Sequence, residues 1–170
     1  MLAFLFRGLT GDNRTGTALF DALTAEARAP AWYVAGEVPD TLDGRFAVLA
    51  TVTALVLVRL EREGEPGNCF SVALTERFVE VMESEHRELG LGDPTLGKVV
   101  RKLVGMLARK TDAWRAATSG RADWTEATRE SLYKDPAPAD AIEFSAAALR
   151  AFWDRLDSAS LASLERGEIA

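Results

Sequence analysis

The sequence has very few of the residues that build metal centres and nucleophilic sites. Among its 170 residues there is one cysteine, Cys69, and one histidine, His86. A single cysteine excludes an internal disulfide and a cysteine-based zinc cluster, and it is consistent with a reducing compartment. Glu83 and His86 have the Glu-x-x-His spacing of di-iron bundles, but those sites need a second such motif. We therefore expect no metal site and no cofactor.

The motifs of common catalytic sites are also missing. No Gly-x-Ser-x-Gly turn accompanies His86, and the sequence has neither a Walker loop nor a Gly-x-Gly-x-x-Gly fingerprint. Gly90 and Gly92 follow a predicted helix, whereas dinucleotide sites place their glycines after a strand. The sequence thus predicts a protein without enzymatic activity. The alternative hypothesis is an enzyme that uses His86 and nearby carboxylates.

A long hydrophobic run is absent too. The uncharged stretch from Phe46 to Val58, flanked by Arg45 and Arg59, falls well short of the roughly 20 residues that a bilayer crossing needs. A helix in this stretch would be apolar on nearly every side, which is typical of a buried central helix. The length of the run and its lack of period-two alternation favour a helix over a strand.

The residues before this run predict where the central helix begins. Pro39 ends the preceding segment, Asp40 is expected to cap the helix, and Asp43 lies near the positive end of its dipole. One side of the helix carries only small residues, where a second helix can approach closely. These residues are Ala47, Ala50, Thr51 and Ala54.

The remaining sequence predicts an all-α, single-domain bundle of about six to eight helices around the central helix. We expect an N-terminal apolar patch and linker (1–16), a helical domain (17–133), and C-terminal helices docked on the same domain (134–170). Trp32 and Tyr33 are assigned to a connector, Gly64–Gly67 to a break, and Asn68 and Asp93 to helix caps. Helical spacing of apolar residues predicts the other helices at about 17–29, 68–89, 94–118, 123–132, 142–156 and 160–165.

Charge is distributed unevenly along the chain. The net charge is −6, which argues against a general nucleic-acid binder, so no DNA partner is expected. Residues 97–115 nevertheless hold six basic residues and one acidic residue, a local charge of +5. This charge either forms a solvated outer face or binds an acidic or phosphate-bearing partner such as RNA or lipid. The basic patch consists of Lys98, Arg101, Lys102 and Arg109.

The first residues, Met1–Arg7, form an apolar patch without a preceding basic region or a small-residue cleavage site. This is a poor secretory signal. Two interpretations stay open: the patch packs its Leu and Phe side chains on the domain, or it rests them in a membrane interface, where so few side chains give only weak and reversible binding.

Two longer blocks carry a resemblance to a known family. Val38–Phe46 and Glu88–Asp93, followed by Gly97-Lys98, resemble the ubiquinol-cytochrome c chaperone family. The resemblance extends from about Ala18 to Tyr133 and more loosely to the end of the chain. It implies an all-helical, non-enzymatic protein that assists assembly of the cytochrome bc complex, respiratory complex III, by binding cytochrome b as it is made or newly inserted.

The resemblance also implies partners and a location. Mitochondrial members of the family work with a small partner protein near the ribosome exit tunnel, so a ribosome contact or a small helical partner is one expectation here. Without a targeting sequence, we expect a cytoplasmic protein, peripheral on the cytoplasmic face of a bacterial inner membrane. The competing hypothesis is a helical adaptor that binds the ribosome, RNA or acidic lipid through its basic patch.

A chaperone for a membrane subunit needs exposed apolar surface bordered by charge. The candidates are the Trp32–Tyr33 connector, the small-residue side of the central helix, and the N-terminal apolar patch. For Pro39–Phe46 the alternative is purely structural, with Asp40 and Asp43 as caps, Gly44 for close packing and Arg45 as an ion-pair partner. The candidate client-binding residues are Trp32, Tyr33, Pro39, Asp40, Asp43, Gly44, Arg45, Phe46, Gly92 and Asp93.

Overall fold

The computed structural model describes residues 16–88 and 93–169, with side chains for all of these except 85–88, 93–96 and 99. These two ranges contain α-helices joined by short links and no strand, which confirms the all-α prediction. The helices are α1 (Thr17–Ala27), α2 (Ala31–Val34), α3 (Leu42–Leu60), α4 (Gly64–Glu88), α5 (Asp93–Thr118), α6 (Trp124–Leu132), α7 (Ala139–Ser158) and α8 (Leu161–Glu165).

Helix α3 is the buried centre of the fold, as its uncharged sequence predicts. From Val48 to Leu60 every side chain except that of Leu57 is buried. Helices α1, α4, α5, α6 and α7 all pack against α3, and α5 does so most extensively. Burial of the uncharged part of α3 from Val48 onward removes its apolar side chains from water, which stabilises the fold.

Most of the small-residue side of α3 is closed by packing against α5. Ala50, Thr51 and Ala54 are fully buried, and the Thr51 hydroxyl accepts a hydrogen bond from the Lys110 ammonium of α5 at 3.3 Å. The close approach of a second helix is confirmed. Ala50, Thr51 and Ala54 therefore offer no client surface, and only the half-buried Ala47 reaches the cavity described below.

Two of the predicted caps are wrong. The side chain that caps α3 is Thr41, whose hydroxyl accepts a hydrogen bond from the Gly44 backbone N–H at 3.2 Å, while Asp40 turns away to Arg45. Helix α4 begins at Gly64, four residues before Asn68. The predicted break is found at Gly64, whose φ of 65° separates α4 from the 3-10 turn Glu61–Glu63. Pro66 lies in the first turn of α4, where the missing N–H is harmless.

Other helix ends follow the sequence signals. Asp123 caps α6 by accepting a hydrogen bond from the Glu126 backbone N–H at 2.8 Å, as the Asp-x-x-Glu pattern predicts. Within the predicted connector, Ala31–Val34 form the single turn of α2, with Pro30 as its N-cap residue.

One hydrophobic core contains residues from Leu19 in α1 to Leu164 in α8. A buried cation joins α3 to the end of α7: the Arg59 guanidinium donates to the carbonyl oxygens of Leu156 at 3.0 Å and Ala159 at 2.8 Å. Leu156 lies in the last turn of α7 and Ala159 directly follows the helix, where backbone carbonyls lack the full set of intrahelical donors. A cation there also meets the negative end of the helix dipole.

Candidate binding cavity

The residues predicted around the start of α3 lie on two different surfaces. Asp43 and Phe46, three residues apart on one face of the helix, line a cavity. Tyr33, Asp40 and Arg45 form a separate exposed cluster beside it. The structure therefore brings together only part of the predicted set.

The exposed cluster is held by charge and by an aromatic ring. Arg45 Nε lies 2.6 Å from Asp40 Oδ1, and the hydrogen bond from Arg45 lowers the pKa of the Asp40 carboxyl. The Arg45 guanidinium also lies 5.9 Å from the centre of the Tyr33 ring. Burial raises the pKa of the Tyr33 phenol, whose hydroxyl donates to the Ala27 carbonyl at 2.6 Å. This cluster fixes the connector before α3.

Trp32 is buried, and Gly92, Asp93 and the N-terminal apolar patch lie wholly or partly outside the description. Trp32 is only 2% exposed, and its indole N–H donates to the Glu26 carbonyl at 2.9 Å, so it belongs to the core. Asp93 is the first residue of α5, and its side chain lies outside the description. Gly92 and the Met1–Phe6 patch lie outside the described residues altogether.

A cavity of about 440 Å³ lies between α3, α5 and α6, with one wall residue from α4. Its walls are mainly apolar. Two of the lining residues are methionines, whose flexible side chains adapt to varied contacts. Leu42, at the mouth, is 56% exposed, which is unusual for a leucine at the start of a buried helix. The apolar lining residues are Leu42, Phe46, Ala47, Met82, Leu103, Met106 and Leu132.

Charged side chains surround the mouth of the cavity. Asp43 and Lys134 form an exposed ion pair with an oxygen–nitrogen distance of 2.6 Å, and this contact lowers the pKa of the Asp43 carboxyl. The charge of Lys102 acts in the same direction on Asp43. Glu130 completes the charged lining. An apolar pocket with a charged border is the surface that the chaperone expectation requires.

Lys110 is the unusual residue of the cavity wall. Its ammonium donates to the Ser131 carbonyl oxygen at 2.6 Å and to the Thr51 hydroxyl at 3.3 Å, both uncharged groups. Burial lowers the pKa of Lys110 to about 8. The sequence predicts Lys110 to be one of the surface charges of 97–115, and the structure instead places it in the cavity wall, largely shielded from solvent.

Backbone contacts position the wall that α3 contributes. A Cβ atom added at Gly44 would lie 1.9 Å from the Pro39 carbonyl oxygen, so only glycine at this position lets the preceding segment pack against the helix. This confirms the close-packing role predicted for Gly44. Across the cavity, the Tyr133 hydroxyl contacts the Gly36 carbonyl oxygen at 2.5 Å and Ser145 Oγ at 2.8 Å. The Tyr133 hydroxyl thus links the connector to the segment that follows α6.

The four residues of the basic patch are all exposed on α5, and we call them the basic stripe: Lys98, Arg101, Lys102 and Arg109. The other cations of 97–115 are used internally. Arg115 pairs with Glu61 at 2.6 Å and with Asp112, and Lys110 is buried. Lys102 belongs both to the stripe and to the cavity lining.

A second groove, of about 400 Å³, lies between α4 and α5. Val72 and Val104, which line it, are 51% and 41% exposed. Its charged lining is mostly acidic, with Glu61, Glu76 and Asp112 beside Arg115, a residue already paired with two of them. This groove therefore offers an apolar surface comparable to that of the cavity, but its charged border is mostly acidic, whereas that of the cavity carries both signs.

Neither a metal cluster nor a membrane-crossing helix is found in the described ranges. No group of three or more His, Cys, Asp or Glu side chains there is arranged to hold a metal ion. No helix in residues 16–88 and 93–169 is long and apolar enough to cross a bilayer. The side chains of Glu85 and His86, on which the enzyme and di-iron alternatives depend, lie outside the description.

Comparison with known proteins identifies the family. The chain is similar to the crystallised Cbp3 homolog from Brucella abortus, with 27% sequence identity and a TM-score of 0.78, over 100% of this chain and 96% of that one. No curated protein sequence matches it. Residues 35–170 match the sequence profile described as ubiquinol-cytochrome c chaperone. The chain therefore belongs to the ubiquinol-cytochrome c chaperone family.

Proposed function

We propose that this protein is an assembly chaperone of respiratory complex III that binds cytochrome b through the cavity between α3, α5 and α6. Family membership supports the assembly role. The observation that carries the choice of surface is the cavity itself, an apolar pocket with an exposed leucine and a charged border. Cytochrome b is an apolar membrane protein, and such a client needs apolar surface on a chaperone that stays soluble.

The size of the cavity limits what part of the client enters it. Two turns of an α-helix about 10 Å across enclose roughly 850 Å³, about twice the cavity volume of 440 Å³. A whole helix therefore does not fit, whereas a few apolar side chains projecting from a helix or loop do. Met82 and Met106 allow the walls to adjust to these side chains without a rigid template.

The charged border of the cavity is already partly paired within the protein, which lowers the cost of covering it. Asp43 and Lys134 already satisfy each other, so a client that covers them does not leave a single charge without a partner. The client's apolar side chains then supply the affinity, and the border supplies orientation. This chemistry involves no covalent step, in agreement with the expectation of a protein without catalytic activity.

Leu42→Glu tests the proposal with little risk to folding. Residue 42 is exposed in the first turn of α3, where a carboxylate interacts favourably with the helix dipole. Losing this apolar contact should weaken client binding by about tenfold. In a strain that lacks the chromosomal gene and expresses the variant, we expect lower cytochrome b content and lower complex III activity than with the unaltered protein.

Val72→Glu is the matched control. It places the same charge on a similarly exposed apolar residue, but in the groove between α4 and α5. We expect normal cytochrome b content with this variant. Equal losses from both substitutions, or a loss from Val72→Glu alone, would move the client away from the cavity. Normal cytochrome b content in a strain without the protein would remove the chaperone function itself.

A further inference from the structure

The basic stripe forms a straight ridge on the outer side of α5. From Lys98 to Arg109 it is about 16 Å long, at 1.5 Å per residue. The core side of the same helix carries Leu103 and Leu107, which are buried. The arrangement is therefore a row of four cations directed away from the fold.

The cations of the stripe are not neutralised by direct contacts in the described structure, and Lys102 acts on the Asp43 carboxyl only through its charge. None of its four side chains forms a hydrogen bond or an ion pair with another described side chain, whereas Arg115 further along α5 binds two carboxylates. Cations that stabilise the fold are paired in this way. Clustered cations without such partners are available to a partner outside the molecule.

We propose that the basic stripe docks on an anionic phospholipid surface. A straight ridge of cations fits a flat, negatively charged surface, and each lysine or arginine held there strengthens binding about fivefold. Four such residues give about a thousandfold preference for anionic over neutral membranes. Docking of this strength is reversible, which suits a protein that must leave after delivering its client.

The surroundings of the stripe favour lipid over RNA. Single-stranded nucleic acid binds to basic grooves that also offer exposed aromatic rings for stacking. The one aromatic residue of α5, Trp114, is fully buried. Beside the stripe lies Val104, 41% exposed, an aliphatic residue that suits the border of a bilayer.

Docking by the stripe also orients the cavity. Because Lys102 belongs to both the stripe and the cavity lining, the mouth would lie beside the membrane when the stripe is in contact with lipid. This orientation rests on the proposed function, since it matters only if the client is a membrane protein. The lipid contact itself does not depend on the client.

Co-sedimentation of the purified protein with vesicles tests the proposal. The vesicles contain either phosphatidylcholine alone or phosphatidylcholine with about 30% phosphatidylglycerol, at low and at moderate salt. We expect binding to the anionic vesicles only, and weaker binding as salt shortens the Debye length from about 30 Å at 0.01 M to about 10 Å at 0.1 M. The double variant Arg101→Gln/Arg109→Gln should bind the anionic vesicles about 30-fold more weakly.

The control is Arg28→Gln/Arg121→Gln, which changes the net charge equally at two exposed sites off the stripe. We expect it to bind like the unaltered protein. The vesicle test contains no client, so a failure of the cavity proposal leaves it intact. Equal binding to both vesicle types, or equal losses in the two double variants, would overturn the proposal. Binding to a mixed-sequence RNA oligonucleotide without binding to anionic vesicles would overturn it as well.

Discussion

Gly44→Ala and Gly105→Ala should change stability in opposite directions, although both replace a glycine inside a helix. At Gly44 the new methyl group would lie 1.9 Å from the Pro39 carbonyl oxygen, far inside van der Waals contact. At Gly105 the nearest atom is the end of the Arg109 side chain, 3.5 Å away, which is an ordinary contact. The pair therefore separates close packing from helix propensity.

The magnitudes follow from the local structure. Alanine gains up to about 1 kcal/mol over glycine in a helix interior. At position 44 the overpacking costs about 1–3 kcal/mol, and displacing the connector weakens the Thr41 cap, worth about 1 kcal/mol. The net expectation is a loss of about 1–3 kcal/mol for Gly44→Ala. Gly105→Ala should instead gain about 0.5–1 kcal/mol.

Urea unfolding followed by circular dichroism measures both changes, and a thermal melt should shift by about 2–4 °C for each kcal/mol in a chain of this size. Because the displaced connector borders the cavity, Gly44→Ala should also reduce cytochrome b content in cells. An alanine at position 44 that leaves stability unchanged, or raises it as at position 105, would refute the close approach of Pro39 to α3.

Four further substitutions, of which Arg62→Ala is a control, test other contacts. Arg59→Ala removes the buried cation that holds the end of α7 and should lower the free energy of unfolding in urea by about 3 kcal/mol. Arg62→Ala, which removes an exposed ion pair, should lower it by less than about 1 kcal/mol. Similar losses from the two substitutions would contradict this. Burial lowers the pKa of Lys110 to about 8, against 10.5 for an ordinary lysine. Between these values the unfolded chain binds more protons than the folded one, so stability should rise with pH there, and Lys110→Met should abolish the rise in unfolding midpoints. Tyr133→Phe leaves Gly36 and Ser145 without their partner and should lower the free energy of unfolding by about 1–2 kcal/mol, and no loss would discount that contact.

The sequence contains enough information to predict the helices and the central position of α3. Periodicity and composition act locally, and an uncharged run such as Phe46–Val58 has few stable arrangements other than burial within a bundle. Helix ends are less predictable where several residues compete for one role. Asp40 and Thr41 both qualify as caps, and the nearby Arg45 draws Asp40 away. That competition is decided by geometry and not by propensity.

The cavity is much less predictable than the fold. Its walls come from positions as distant as Leu42 and Lys134, and no pattern within one segment indicates that they meet. Asp43 and Phe46 were identified through the family resemblance. Lys110 has no distinguishing signal, since a lysine among other basic residues of an amphipathic helix normally faces solvent. The burial of Trp32 is not predictable either, because a short connector has no periodicity from which burial could be inferred.

Site-specific photo-cross-linking tests the central claim most directly. A photoreactive phenylalanine analogue is placed at position 42, at the mouth of the cavity, and separately at position 72, in the groove between α4 and α5. Cells are irradiated while cytochrome b is being made, and the adducts are identified with an antibody against cytochrome b. If the cavity receives this client, position 42 gives a cytochrome b adduct and position 72 gives none. An adduct from position 72 alone, or none from position 42, would contradict the account.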